Sequence, residues 1–452
     1  MNTSSGVSAV DSAIILGSLL AVYAAGWYGA SRARKAGSDF ILAGRTLSLP
    51  FFVASLVATW YGSVLGSGEF IMRYGVMFVF CFGVPYYVAA AVYARWVAGR
   101  IRSSSAVSIP DQIGVRYGAV ARRVAAIIML VITIPASYQL MLGQIVQTIS
   151  GLSLESSLVL STTVSLAYVY RGGLRSDVYA NVVQMILMYG AMLALVIFSI
   201  STFGTPSTML LALPETTTSV PGTLGWWPVV VWFVIALQTF VDPNIHVRCA
   251  AAADGNTAKI GLYLSIAAWM VFDVLQLVAG LYAVAFVGWV PAQETYLQLA
   301  QAVLPVAWKG VFFAGIIAAV MSTLDGYALV SATTISHDVI GSANQLPWGK
   351  PTVRFGLALT GVLGIAAALL LPSVIDLLYL TASIVVPALL VPLLLSLQRK
   401  FAPRGTKSAL YQMILPAAAA TAAAIYGGAE PMIIGFIAAA IVLPCNFRVH
   451  AP

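Results

Sequence analysis

The sequence predicts an all-α polytopic membrane protein. Of its 452 residues 60% are hydrophobic and only 8% charged, and the mean hydropathy is +0.93, whereas an ordinary soluble domain is about 25% charged. Apolar runs of bilayer length, about 20 residues each, recur thirteen times, at 11–31, 49–71, 76–99, 120–149, 154–170, 178–203, 227–246, 258–288, 309–338, 353–371, 374–397, 408–427 and 430–446. No soluble domain or low-complexity tract interrupts them, so residues 1–452 read as one transmembrane domain.

The first run has no basic segment before it and is followed by Ser31-Arg32-Ala33-Arg34-Lys35, the pattern of a retained stop-transfer helix rather than a cleaved signal peptide. The second is loosened at its centre, where Gly62, Gly66 and Gly68 interleave with Ser63 and Ser67 ahead of Glu69. Two readings fit that composition: a discontinuous helix whose freed carbonyls face a cation, or a close helix crossing through small residues. The seventh run carries Gln238, Thr239, Asp242 and Pro243 near its cytoplasmic half, a less marked interruption.

The ninth run holds Ala319, Ser322, Thr323 and Asp325. At about 100° per residue they share one arc of roughly 160° on a helix. A carboxylate at the bilayer centre costs on the order of 3 kcal/mol and marks ion pathways, and hydroxyl, carbonyl and carboxylate oxygens are the ligands of a hard cation such as sodium. The alternative is that Ser322 and Thr323 bond back to carbonyls one turn earlier.

Between the runs, 204–226 reads as an ordered outer loop with Pro206, Pro214 and Pro221. The segment 292–305 has helical period, and Ile109 to Gly118 is expected to form a short amphipathic helix. The net charge of +8 is not a nucleic-acid signature, because 21 of the 23 basic residues, Arg248 among them, fall on alternate connections, and the others hold only Arg73 and Lys309. The positive-inside rule makes the basic side cytoplasmic: the amino terminus lies outside, the carboxyl terminus inside, and the location is the cell membrane. Cys81, Cys249 and Cys445 show no metal-ligand or disulfide spacing and read as packing residues.

Several motifs in order resemble the sodium:solute symporter family, that of sodium-glucose and proline symporters. They are Leu42-Ala43-Gly44-Arg45-Thr46-Leu47, Arg116-Tyr117-Gly118, Gly172-Gly173-Leu174 with Gln184, Pro243 with Arg248, and Ala319-Val320-Met321-Ser322-Thr323 with His337-Asp338-Val339-Ile340. The resemblance runs from about Phe40 to Arg399. It implies a LeuT-like inverted 5+5 helix repeat, 49–203 and 227–397 here, with one extra amino-terminal and about two extra carboxy-terminal helices. It also implies sodium-coupled symport of a small polar organic solute by alternating access, Na+ as the coupling ion, and no enzymatic activity.

Carried over by position, the family's sodium site takes the carbonyls of Ala58, Tyr61 and Ala319 and the hydroxyls of Ser322 and Thr323. This chain departs from many members in having Ala180-Asn181 where they have Thr-Asp, and Asp325 where they have a hydroxyl. A second cation or proton site at Asn181, Ser322 and Asp325 is therefore expected, against a neutral Asp325 bonded to Asn181 for structure alone. The resemblance places the solute among Trp60, Tyr86, Tyr87, Gln139, Gln144, Gln238, Thr239, Gln276 and Tyr379. Asp273 and Gln276, three residues apart on one helix face, either line that cavity or tie two helices. The expected partners are a small-molecule solute, sodium and the lipid bilayer, without nucleic acid and with the chain a monomer. Proton-coupled symport, or a sensor built on the same fold, are the alternatives.

Overall fold

The computed structural model describes residues 7–32, 37–288, 290, 294–341, 350–371, 374–398, 401–403, 406–427 and 430–449. Every apolar run of the sequence is helical. Among the described residues eight helical spans are long and apolar enough to cross a membrane, and a bent pair makes a ninth; the remaining runs form helices that are shorter, broken or less apolar.

Helix α1 (Ala9–Ser31) opens on a capping box in which Ser8 and Asp11 satisfy each other's backbone donors. Asp11 also accepts from the amides of Ala307 and Gly310, at 2.9 and 2.8 Å, and so ties α1 to the start of a distant helix. The run at 49–71 divides into α2 (Leu49–Ala58) and α3 (Val64–Tyr74) around a non-helical stretch at Thr59–Ser63. After α4 (Val84–Trp96), the run at 120–149 also divides, into α5 (Ala119–Thr133) and α6 (Ala136–Ser150). Pro135 explains this break: it has no N–H to donate and drives the residue before it out of helical geometry, and Ile134 has ψ 114°.

Helices α7 (Leu154–Gly172) and α8 (Leu174–Phe203) follow. The run at 227–246 becomes α9 (Trp226–Ile235), a short turn at Gln238–Val241, and α10 (Pro243–Ala251), with a 40° bend. Asp242 stops one segment and starts the next, because Pro243 is preset for the first helical position and Asp242 Oδ1 accepts from the Ile245 amide at 2.8 Å. Helix α11 (Gly255–Phe286) is capped outside the membrane by Asp254, whose carboxyl is held below its usual range by the Thr257 amide. Helix α12 (Thr295–Val303) is the periodic segment expected at 292–305; residues 291–293 lie outside the described ones.

Helix α13 (Trp308–Thr333) continues as π-helical turns over Thr334–Gly341, and all its residues from Phe312 to Thr333 are buried. A helix enclosed on every side belongs to the centre of a bundle, which is where α13 sits, against α8, α1 and α14 (Lys350–Leu370). Helices α15 (Val374–Ser396), α16 (Thr406–Tyr426) and α17 (Pro431–Asn446) pack together at the end of the chain. Two three-residue strands, Phe401–Pro403 and Phe447–Val449, pair antiparallel beside them. Cys81 and Cys249 are buried free thiols, and the side chain of Cys445 lies outside the described residues.

Candidate functional site

The α2–α3 break lies directly on α13. A Cβ at Gly62 would stand 2.5 Å from Thr323 Cβ, so only glycine permits the approach. Ser322 Oγ donates to the Ala58 carbonyl at 2.7 Å, and Thr323 Oγ1 to the Thr59 carbonyl at 3.1 Å. Both hydroxyls also reach the Ala319 carbonyl, at 2.9 and 3.1 Å. Back-bonding along the helix and contact across to the break therefore coexist. The result is a fully buried knot of carbonyl and hydroxyl oxygens with no cationic side chain in it, the donor set of a hard monovalent cation. Tyr61 lies in the same break, but its carbonyl accepts from the Val64 amide at 3.1 Å, and Thr59 supplies the carbonyl that meets Thr323.

Asp325 and Asn181 have other partners than each other. The Asp325 carboxylate accepts from Ser165 Oγ and the Tyr168 hydroxyl of α7, with Gln184 Nε2 behind Tyr168 at 3.4 Å. Asn181 Nδ2 donates to Ser55 Oγ at 3.2 Å, and its buried Oδ1 has no partner. The alternative of a structural Asp325–Asn181 hydrogen bond is therefore not what the structure shows: α7 holds Asp325, and Asn181 turns to Ser55 of α2.

Ser55 belongs to a second buried network. Arg248 Nε donates to it at 2.7 Å, and the other guanidinium nitrogens donate to Asn244 Oδ1 and Asp177 Oδ2, each at 2.9 Å. Arg248 is 1% exposed. Counted from sequence as a cytoplasmic loop charge, it is instead a buried ion-paired side chain joining α10 to α2 and α8. Beside it, Leu47 and Ala252 form a parallel β-bridge, with Leu47 N 3.0 Å from the Ala251 carbonyl. This clamps the start of the first broken helix to the end of the second. Asn244 also touches α13 where a Cβ at Gly326 would meet its Oδ1 at 2.6 Å.

A cavity of about 130 Å³ lies one turn from Thr323, lined by Ser137, Tyr138, Gln238, Tyr327, Thr381 and apolar side chains. Tyr327 donates to Asp242 Oδ2 at 2.9 Å and packs against the Tyr138 ring at 5.4 Å. The α5–α6 break, the α9–α10 break, α13 and α15 thus meet around one space.

This architecture has relatives. The model of the sodium:solute symporter family matches residues 40–415, most of the chain. The chain belongs to the sodium:solute symporter family. The sodium/proline symporter of Escherichia coli (strain K12) is 25% identical over 367 residues, covering 73% of this chain and 72% of that protein. Among solved structures, a Na+-coupled sialic acid symporter in a substrate-bound outward-open state superposes with a TM-score of 0.83 at 17% identity, over 98% of this chain and 100% of that one. A nucleobase-cation-symport-1 family transporter in a closed conformation follows at TM-score 0.59 and 14% identity, over 90% and 93% of the two chains. These structures show a shared fold, the LeuT-like one. The protein is a multi-pass membrane transporter that performs sodium-coupled symport, which sets aside the proton-coupled and sensory alternatives.

The symporter brings together only some of the residues expected to face its solute. Gln238 lines the cavity. Trp60, Tyr86, Tyr87 and Gln276 gather beside the break and α11, where Trp60 stacks on Trp269 at 4.4 Å and meets Tyr86 edge-on at 5.6 Å. Thr239 is buried with its hydroxyl unpartnered. Of the nine, Gln238 alone lines the cavity, and three lie apart from both groups. Gln139 donates to Thr162 and to the Gly361 carbonyl, both at 3.1 Å, because it faces the seam between α7 and α14. Gln144 is half-buried further along α6, and Tyr379 donates to Glu430 in the loop before α17. Ser137, Tyr138, Tyr327 and Thr381 were missed; Pro135 was the available signal for the first two. Tyr296 of α12 donates to the Gln276 carbonyl at 3.1 Å and lies 3.5 Å from Ser67, covering α3.

Proposed function

We propose that one sodium ion binds where α13 meets the α2–α3 break, held by the carbonyls of Ala58, Tyr61 and Ala319 and the hydroxyls of Ser322 and Thr323. It is transported with a small polar organic solute by alternating access. The 2.7 Å contact between Ser322 Oγ and the Ala58 carbonyl carries this reading, because an entering cation replaces that bond and holds the two helices together through lone pairs. Residues 49–203 and 227–397 act as inverted repeats, each beginning with a broken helix. The 130 Å³ cavity supports a solute of few heavy atoms, and the sodium/proline symporter of E. coli is a relative named for a solute of that size.

A second cation site includes Asn181, Ser322 and Asp325. Its support is a fully buried carboxylate whose hydrogen-bond donors are both neutral hydroxyls, and the orphaned Asn181 Oδ1. The protein works as a monomer in the cell membrane, amino terminus outside and carboxyl terminus in the cytoplasm, with no enzymatic step. The test is solute uptake into sealed vesicles across a panel of small polar solutes: an inward sodium gradient should drive accumulation with movement of positive charge. Accumulation indifferent to the gradient would overturn the reading.

A further inference from the structure

Asp273 of α11 is 92% buried, at 8% exposure, and all of its partners are neutral donors. Tyr61 donates to Oδ1 at 2.9 Å, Gln276 Nε2 to the same oxygen at 3.2 Å, and Tyr87 to Oδ2. Both carboxyl oxygens are thus hydrogen-bonded, and Oδ2 by a single partner, which leaves it acceptor capacity for another. Asp39, Asp177 and Asp338 pair with Arg175, Arg248 and Arg122, whereas the hydrogen-bond partners of Asp273, like those of Asp325 and Asp242, are neutral. Asp273 has no ion pair among the described residues. An ionised carboxylate buried here is costly without a cation beside it, so a positive partner from outside the chain would find a ready counter-charge.

The surroundings decide which one. Trp269 lies one helical turn before Asp273 on the same face of α11 and stacks on Trp60, the residue before Tyr61; Tyr86 meets Trp60 edge-on. Trp60, Tyr86 and Tyr87 are half-buried rather than sealed. Sodium takes several oxygen ligands, but the phenol hydroxyls here are already committed to the carboxylate. Indole and phenol faces beside one carboxylate suit a weakly hydrated organic cation.

We propose that Asp273, framed by Tyr61, Tyr87, Gln276 and the Trp60–Trp269 pair, seats a cationic nitrogen of the solute, so that the transported molecule is a small organic cation or zwitterion and not an anion or a sugar. This rests on the symport reading and names its substrate class. Tyr61 then serves both partners, its backbone lying in the break against Thr323 and its hydroxyl on Asp273.

The test is thermal unfolding of the purified full-length protein at fixed sodium, with methylammonium and tetramethylammonium chloride as probes and acetate as the anionic control. A ligand that binds only the folded state raises the midpoint. The ammonium probes should raise it and acetate should not; Asp273→Asn should need about ten-fold more probe for the same shift while keeping the shift produced by sodium itself. Equal stabilisation by acetate, or an ammonium response intact in Asp273→Asn, overturns the proposal. So does an Asp273→Asn protein that loses its sodium response, which makes the group a sodium ligand. If Asp273→Asn does not fold, Trp60→Leu keeps the carboxylate and removes the π-face; an unchanged ammonium response there also overturns it. Absence of any sodium shift in the unmodified protein contradicts the sodium site instead and leaves the ammonium comparison readable.

Discussion

Ser322 Oγ and the Ala58 carbonyl oxygen lie 2.7 Å apart although 264 residues separate them in sequence. The contact joins the centre of the buried helix α13 to the end of α2, where the first broken helix stops. A cation placed there bridges a helix of each half of the fold, so its arrival and departure change how the halves are held. The proposed coupling of sodium to movement rests on that bridge.

Gly62 sets the distance across it. A methyl group at this position would sit 2.5 Å from Thr323 Cβ and 2.6 Å from its hydroxyl. Gly62→Ala is expected to abolish sodium-dependent stabilisation while the protein still inserts, whereas Gly66→Ala, with open space around it, should behave as wild type. Thermal unfolding with and without sodium distinguishes them.

The Asp177–Arg248 pair should behave as a buried ion pair. Removing either partner leaves the other charge stranded, at a cost of about 3–5 kcal/mol. Asp177→Ala and Arg248→Ala are each expected to lower the unfolding midpoint strongly, and the double variant to lose less than their sum. A double-mutant cycle on unfolding reads the coupling directly; additive losses would show that the 2.9 Å contact contributes nothing of its own.

Asp325→Asn removes a charge and keeps the shape. A second cation at Asp325 predicts that charge moved per solute falls in this variant while solute affinity at saturating sodium changes little. Electrical recording alongside uptake measures both, and an unaltered ratio makes Asp325 a structural group bonded to Ser165 and Tyr168.

The orientation is checked by labelling. A cysteine introduced in the 204–226 loop should react with an impermeant thiol reagent from outside, and one near Lys400 should not. The asymmetry of basic residues demands this; reversed labelling would invert the topology.

Much of this was readable in one dimension. Helix positions follow from hydrophobicity summed along the chain, and the oxygen face of α13 follows from three- and four-residue spacing, because both are properties of a segment by itself. Side-chain partners were not readable. Asp325 meets Ser165 and Tyr168 from 160 and 157 residues away, and Gln139 turns to a seam formed with α14, so tertiary packing alone sets where they point. Arg248 was misplaced for a related reason: position along the chain gave a membrane edge, and only α2 and α8 folding around it make it interior. The α5–α6 break was announced by Pro135 but hidden within a continuously apolar run.

The sodium site itself is tested most directly by titrating the unfolding midpoint of wild type and Thr323→Ala with sodium, using potassium to hold ionic strength constant. One lost ligand worth about 1.4 kcal/mol corresponds to a ten-fold weaker site. The account predicts that sodium stabilises the wild type where potassium does not, and that Thr323→Ala needs at least about ten-fold more sodium for the same shift. Equal stabilisation by the two ions, or superimposable sodium curves for the two proteins, would contradict it.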